Sequence, residues 1–360
     1  MTAASRAAPP RAAGERFASL PRVPLVLAPT PVHPAPRLSN ELGVPILLKR
    51  DDLTGLGLGG NKVRGLEYII ADALRQGCDC LVTGAGPQSN WTMLAALACL
   101  RHGIEPHVVC YGTAAPNEGN MRLHRSLGVD VRFTGEADRS SVDAGIEAVV
   151  AELRAAGRKP YPVPRGGATP LGALGYVRAS VELAAQLAAL GEQPSAPREQ
   201  PSALWLATGS CGTQAGLLAG AALTGARYAV IGVTVSRPAA ESRDRVRALA
   251  TGAAALGGID AALSAPTVLG GWIGPGYGAA SAAGQAAARL VAAAEGVFLD
   301  PVFGAKAMAA LIAECRAGRV HGTQVFLVSG GAPTLFSGTG FTGSDGSAGT
   351  GFTGTGDDAR

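Results

Sequence analysis

The sequence predicts an α/β protein whose mostly parallel sheets are covered by helices and divided between two lobes. Short runs rich in Val, Ile and Leu alternate with helix-like stretches from about residue 45 to residue 328, the pattern of βα units feeding sheets buried on both faces. Three of the strand-to-helix turns carry Gly together with Ser, Thr or Asn, and in open α/β sheets ligands bind at strand carboxyl ends. With 360 residues, the chain is long enough for two lobes rather than one.

In order, residues 44–48 read as a strand, 62–76 as a helix, 80–83 as a strand, 90–102 as a helix and 106–111 as a strand. Helix 117–127, strand 130–133, helix 141–156 and strand 160–164 follow. The second half reads as helix 172–190, strand 203–207, helix 214–222, strand 229–235, helices 241–250, 279–294 and 304–317, and strand 324–328. Apolar spacing carries the helix assignments, as at Val63, Leu66, Ile69, Ile70, Ala73 and Leu74. Residues 1–22 are rich in Ala, Pro and Arg and hold no apolar core of a secretory signal. The repeat Glu-Gln-Pro-Ser-Ala within 192–203 reads as an exposed loop, and 337–360, with Gly-Thr-Gly-Phe-Thr-Gly twice, reads as a disordered tail.

Composition narrows the function classes. A net charge of +4, with Lys and Arg scattered rather than striped, does not imply nucleic acid. No apolar run reaches membrane-spanning length, because Arg101 and Arg227 interrupt the best candidates. Six cysteines in a chain of this size do not form a disulfide framework, and Cys78-Asp79-Cys80 lacks partners at ligand spacing, so no metal is expected. These features point to a soluble cytoplasmic protein.

The most informative segment runs from Lys49 to Lys62. Glycines 55, 57, 59 and 60 form a turn that lets backbone approach a ligand, and Lys62 follows Asn61 at a helix start. The positive end of the helix dipole disfavours protonation of that amine and makes it a candidate nucleophile. A P-loop needs Ser or Thr after the lysine, and Val63 stands there. Gly55, Gly57 and Gly60 match a dinucleotide spacing, but the acid required about twenty residues on is Asp79, ahead of a strand. A plain surface lysine is the bland alternative, and three further motifs weigh against it.

In Thr83–Asn90, Gly84 and Gly86 make the turn and Ser89 and Asn90 open a helix, where they are either caps or ligand contacts. In Ala207–Thr213, backbone N–H groups, the hydroxyls of Thr208, Ser210 and Thr213 and a helix dipole converge on an anion site suited to a phosphate monoester. Ser329, after the last strand, is placed to meet a ring nitrogen or merely to end the strand. A nucleophilic lysine, a phosphate cradle without Walker chemistry and a hydroxyl at a third strand end together suggest a phosphate-bearing aldehyde held as a Schiff base: pyridoxal phosphate.

From about Leu20 to Phe336 the chain resembles the D-cysteine desulfhydrase and 1-aminocyclopropane-1-carboxylate deaminase family, among the tryptophan-synthase-β-like (fold type II) pyridoxal phosphate enzymes. The motifs are Lys49–Gly55 with Gly59-Gly60-Asn61-Lys62, Gly86–Asn90, Gly172–Tyr176, Thr208–Gly216, Asp300–Phe303 and Gly330–Pro333. The resemblance implies that Lys62 is the Schiff-base lysine and α-proton base, and that Asn90 partners the cofactor's phenolic oxygen. It further implies that Ser89 lies by the substrate carboxylate, that Thr208, Gly209, Ser210, Cys211, Gly212 and Thr213 hold the phosphate, and that Tyr277 is an active-site tyrosine. Gln88, Trp91 and Phe303 are placed in the substrate pocket. The expected division is a flexible arm at 1–19, a large cofactor lobe from 20–61 and 165–336, a small lobe at 62–164, and the tail; a homodimer is expected as well.

The departures are informative. Trp91 replaces the family's His or Gln, Phe303 its tyrosine, Gly304 the deaminases' glutamate and Val328 a histidine. The resemblance then favours Ser329 as partner of the pyridine nitrogen and a lyase that removes an α-proton and expels a β-substituent from a small amino acid. Deamination of the cyclopropane amino acid, β-replacement or other carbanion chemistry in a specialised pathway, and a non-catalytic amino-acid-binding homologue are the alternatives.

Overall fold

A computed structural model describes residues 11–191 and 201–338; residues 1–10 of the arm, the loop at 192–200 and the tail from 339 lie outside the described residues. Among the described residues the order is α1 (Arg11–Ala18), β1 (Val32–Pro34), α2 (Pro36–Leu42), β2 (Ile46–Arg50), α3 (Lys62–Arg75), β3 (Cys80–Ala85), α4 (Asn90–Arg101), β4 (Glu105–Cys110), α5 (Gly119–Ser126), β5 (Asp130–Phe133) and α6 (Ser141–Ala155). It continues with β6 (Pro160–Pro162), α7 (Pro170–Gly191), β7 (Ala203–Thr208), α8 (Gly212–Thr224), β8 (Ala229–Thr234), α9 (Ala239–Gly257), β9 (Thr267–Leu269), α10 (Ala282–Glu295), α11 (Gly304–Arg316) and β10 (Gln324–Val328).

Two sheets result, one in the order β1-β2-β10-β7-β8-β9 and one in the order β5-β4-β3-β6. Every pairing is parallel except β1 with β2. The apolar strands are buried on both faces, and their side chains sort with period two. Leu47, Leu204, Leu206, Val325 and Leu327 pack with Leu174, Val177, Leu217 and Val246 of α7, α8 and α9. Their neighbours Ile46, Leu48, Trp205, Phe326 and Val328 pack on the opposite face with Leu38, Val291, Met308 and Leu311 of α2, α10 and α11. The smaller sheet repeats the scheme, with Leu81 and Ala85 against α3 and α4, and Cys80 and Val82 against α6.

The described part of the expected flexible arm is not loose. α1 places Phe17 in the core, its ring 6.5 Å from that of Tyr68 and beneath the guanidinium of Arg178. One aromatic residue and two cation and ring contacts supply the burial that an Ala- and Arg-rich stretch does not advertise.

The Lys49–Asp52 motif builds a buried charge network behind the sheet. Asp51, fully buried, accepts both Nε (2.7 Å) and Nη2 (2.8 Å) of Arg64, the hydroxyl of Thr30 (2.7 Å) and the phenol of Tyr176. Lys49 pairs with Glu182 and donates to Gln186 (2.8 Å), and Arg64 also reaches Glu182 (3.0 Å). Burial alone would raise the Asp51 carboxyl, but Arg64 and Lys49 outweigh it and hold it below the ordinary value. Its contribution to stability is therefore complete above the usual carboxylate range and fades only as pH falls toward the depressed value. Removing one partner of such a network strands the other charges, so Asp51→Asn is expected to cost about 3–5 kcal/mol in denaturant unfolding.

Candidate active site

The carboxyl ends of β3, β7 and β10 open on one cavity of about 550 Å³. Its wall includes Lys62, Ser89, Asn90, Trp91, Thr208, Gly209, Ser210, Cys211, Thr213, Tyr277, Phe303 and Ser329. The sequence therefore anticipated residues that lie up to 267 positions apart, from Lys62 to Ser329, around one cavity.

Lys62 is the first residue of α3, and the chain is carried there by hydrogen bonds rather than by an open turn. Asn61 N–H donates to Ser329 O (2.9 Å), Gly60 N–H to the Thr54 hydroxyl (2.8 Å), and the Asn61 amide to the Thr213 hydroxyl (3.0 Å). Gly59 has φ +73°, and a Cβ there would lie 1.9 Å from Asp52 O. The glycine turn is thus required by packing of protein on protein; Gly55, Gly57, Gly59 and Gly60 are absent from the cavity wall. Lys62 Nζ donates to Ser210 Oγ at 3.1 Å. Burial pushes the amine down to about 8, with the neighbouring Cys211 opposing weakly; desolvation, not the helix dipole, is the leading cause.

The turn from β7 to α8 is shaped for an anion. Cys211 adopts φ +77°, uncommon for a residue with a side chain, and the first N–H groups of α8 have no partner inside the helix. Ser236 Oγ donates to Gly209 O (3.2 Å) and Arg245 Nε to Ser210 O (3.2 Å), which occupies the turn's carbonyls. Of the three hydroxyls, those of Ser210 and Thr213 reach Lys62 and Asn61. That of Thr208, although on the wall, donates to Gln214 Oε1 (2.8 Å) and so has its proton already committed. Gly212 borders a small adjoining hollow of about 30 Å³ instead of the main cavity.

At the start of α4, Ser89 is the N-cap, its Oγ accepting from Trp91 N–H at 3.2 Å. Asn90 Oδ1 accepts from the Asn120 amide (2.9 Å), which turns its own NH2 toward Gly331, where an added Cβ would lie 2.6 Å from it. Trp91 is buried, its indole N–H on the Thr83 hydroxyl (2.8 Å). Gln88 departs from expectation: its side chain bonds Glu118 O (3.1 Å) and Asn120 N–H (2.8 Å), bracing α5, and it is not part of the wall.

Opposite stand Tyr277 and Phe303, rings 6.2 Å apart and at 72°. The Arg139 guanidinium lies 4.6 Å from the Tyr277 ring centre. Burial pushes the Tyr277 phenol up to about 12, so it stays protonated. Phe303 is set by Asp300, whose buried carboxylate accepts the N–H groups of Val302 (3.1 Å), Phe303 (2.8 Å) and Gly304 (2.7 Å). Arg139, Arg165, Arg237 and Arg245 also line the cavity, with Asp143 and Glu241 as counter-charges. These four arginines sit on separate loops and helices at no motif spacing, so nothing in the sequence singled them out.

An amine poised near neutrality, an N–H-lined helix end and two sheets meeting at a cleft define an enzyme of the fold type II architecture that works through a phosphate-bearing carbonyl cofactor. The chain belongs to the pyridoxal-phosphate dependent enzyme family, whose model matches residues 23–330. It is 38% identical to a D-cysteine desulfhydrase from Salmonella choleraesuis over 330 residues, covering 88% of this chain and 96% of that one. A Pyrococcus abyssi protein provisionally named a 1-aminocyclopropane-1-carboxylate deaminase is 37% identical over 320 residues, 88% of this chain and 93% of its own. A solved deaminase homologue superposes with a TM-score of 0.82 at 33% identity, over 90% of this chain and 96% of that one.

The residues present fit pyridoxal phosphate. The turn 209–213 offers a helix N-terminus, two hydroxyls and a basic neighbour to a phosphate, and Lys62 offers an amine beside it. Ser329 reaches the wall from the end of β10.

Proposed function

We propose that the protein is a lyase that removes the α-proton of a small amino acid and expels its β-substituent, in the manner of a D-cysteine desulfhydrase. The observation that carries this reading is the Lys62 amine, lowered to about 8 and held 3.1 Å from Ser210 Oγ at the phosphate turn. Bound pyridoxal phosphate supplies an electron sink for the α-carbanion. The remaining work falls to the chain. Lys62 would hold the cofactor through its amine and would be the base that takes the α-proton. Ser89 and the first N–H groups of α4 receive the substrate carboxylate. Asn90 and Ser329, both on the cavity wall, would hold the cofactor, Asn90 through its amide at the phenolic oxygen and Ser329 through its hydroxyl at the ring nitrogen. Tyr277, kept protonated, presents its O–H as a hydrogen-bond donor to the charge developing on the departing β-substituent. Residues 62–164 act as the smaller lobe and 20–61 with 165–336 as the larger. The family resemblance supports a homodimer in the cytoplasm; among the described residues no helix is long and apolar enough to cross a membrane.

A panel of D- and L-amino acids, assayed for keto acid and ammonia, tests the proposal: release of both from a β-substituted substrate is expected, and their absence across the panel overturns it. The amine adds a pH signature. Only the neutral form attacks a carbonyl, so capture of added pyridoxal phosphate, followed at its visible band, should quicken about tenfold per pH unit below 8 and level off above it.

A further inference from the structure

We propose that Lys306 is a positioning residue of this site, anchoring the loop that brings Tyr277 to the cavity; its catalytic consequence rests on the role of Tyr277 proposed above. Lys306 lies in the first turn of α11 and is fully buried. Its amine donates to Ile273 O (2.7 Å) and Gly276 O (3.2 Å). Both carbonyls belong to the segment 270–281, which links β9 to α10 without helix or strand. That segment carries glycines with positive φ at 271, 274, 276 and 278, so it has more conformational freedom to lose than most and no backbone ladder to hold it.

A buried ammonium is costly unless it is fully hydrogen-bonded, and an apolar side chain would fill the same space without that cost. The charge at position 306 is explained by the carbonyls it holds. Asp300, in the same turn, is its electrostatic counterpart and fixes the other aromatic wall through the Val302, Phe303 and Gly304 N–H groups. One helix start therefore sets both rings, Phe303 through the carboxylate and Tyr277 through the amine, and the two rings meet edge to face.

The test is a double-mutant cycle on the enzyme loaded with pyridoxal phosphate, using D-cysteine as substrate, with hydrogen exchange of the peptide 270–281 as a second readout. Tyr277→Phe and Lys306→Met should each lower kcat by about 10²-fold. Adding Lys306→Met to Tyr277→Phe should lower it by no more than about 2-fold further, the signature of two residues acting as one. Exchange in 270–281 should rise in Lys306→Met while α3 and α8 stay protected. If the methionine variant fails to fold, Lys306→Gln serves in its place: its shorter, neutral amide cannot hold both the Ile273 and Gly276 carbonyls as the amine does, so the same signs are expected at smaller size. Unchanged exchange in 270–281 overturns the anchoring. A kcat loss that multiplies fully in the double variant overturns action through Tyr277. Wild-type kcat in Tyr277→Phe alone removes the proposed role of Tyr277, and with it the catalytic part of the inference, while the exchange data still decide the anchoring.

Discussion

Lys62→Ala is expected to lower turnover by about 10⁴-fold or more, because one side chain carries two tasks. In the proposed function the amine anchors the cofactor and serves as the α-proton base, and proton transfer by a positioned base alone is worth about 10²–10⁴-fold. The variant should still bind pyridoxal phosphate, since the turn 209–213 and its arginine neighbour do not depend on Lys62, but without the visible band of a covalent complex. The fold should survive: the Lys62 side chain ends in the cavity rather than in a core cluster, and among the described residues its amine donates only to Ser210 Oγ. Substantial turnover in Lys62→Ala would move the base elsewhere, and Lys306 and Lys49 are poor substitutes because both amines are committed to internal partners.

The second large effect is in substrate choice. D-cysteine or a related β-substituted amino acid should be turned over at least about 10²-fold faster than 1-aminocyclopropane-1-carboxylate, the amount that one positioned acid or base contributes. Opening the cyclopropane needs a polar group beside the substrate at position 303 and a strongly protonated ring nitrogen. Phe303 lines the cavity with an apolar ring, and Ser329 lines it with a neutral hydroxyl. Elimination asks less, because a good leaving group departs once the α-carbanion has formed. Phe303→Tyr should raise elimination if the missing phenol limits proton transfer, and the Asp300 cradle that fixes residue 303 through its backbone does not depend on the ring. Efficient wild-type opening of the cyclopropane would show that neither substitution controls the reaction.

What could be read from the residues follows from how much local signal each element carries. Strands β5 and β10 were readable at their observed bounds of 130–133 and 324–328, and the helices that cover the sheets were found to within a few residues of most ends. Strands β1 and β9 span three residues each, too short for periodicity, and α2 hides behind Pro34 and Pro36. Pro36 is tolerated because it sits in the first turn, where its missing N–H costs nothing. The site was legible where it lies at strand ends, since topology brings those ends together. Contacts made by loop residues were not. Gln88 was placed in the pocket by the family resemblance, yet it braces α5. Thr208 looked like a phosphate hydroxyl, yet it is spent on Gln214. The glycines at 55–60 suggested room for a ligand, whereas Leu27, Leu97 and the Asp52 carbonyl fill that room. Each misreading concerns the direction of a side chain or the identity of a close neighbour, which tertiary packing decides.

Borohydride reduction of the protein after incubation with pyridoxal phosphate, followed by peptide mass mapping, tests the central claim most directly. The account predicts loss of the visible band and a single reduced phosphopyridoxyl group on the peptide containing Lys62. A reduced group on another lysine, or no modification and no band at saturating cofactor, would contradict it.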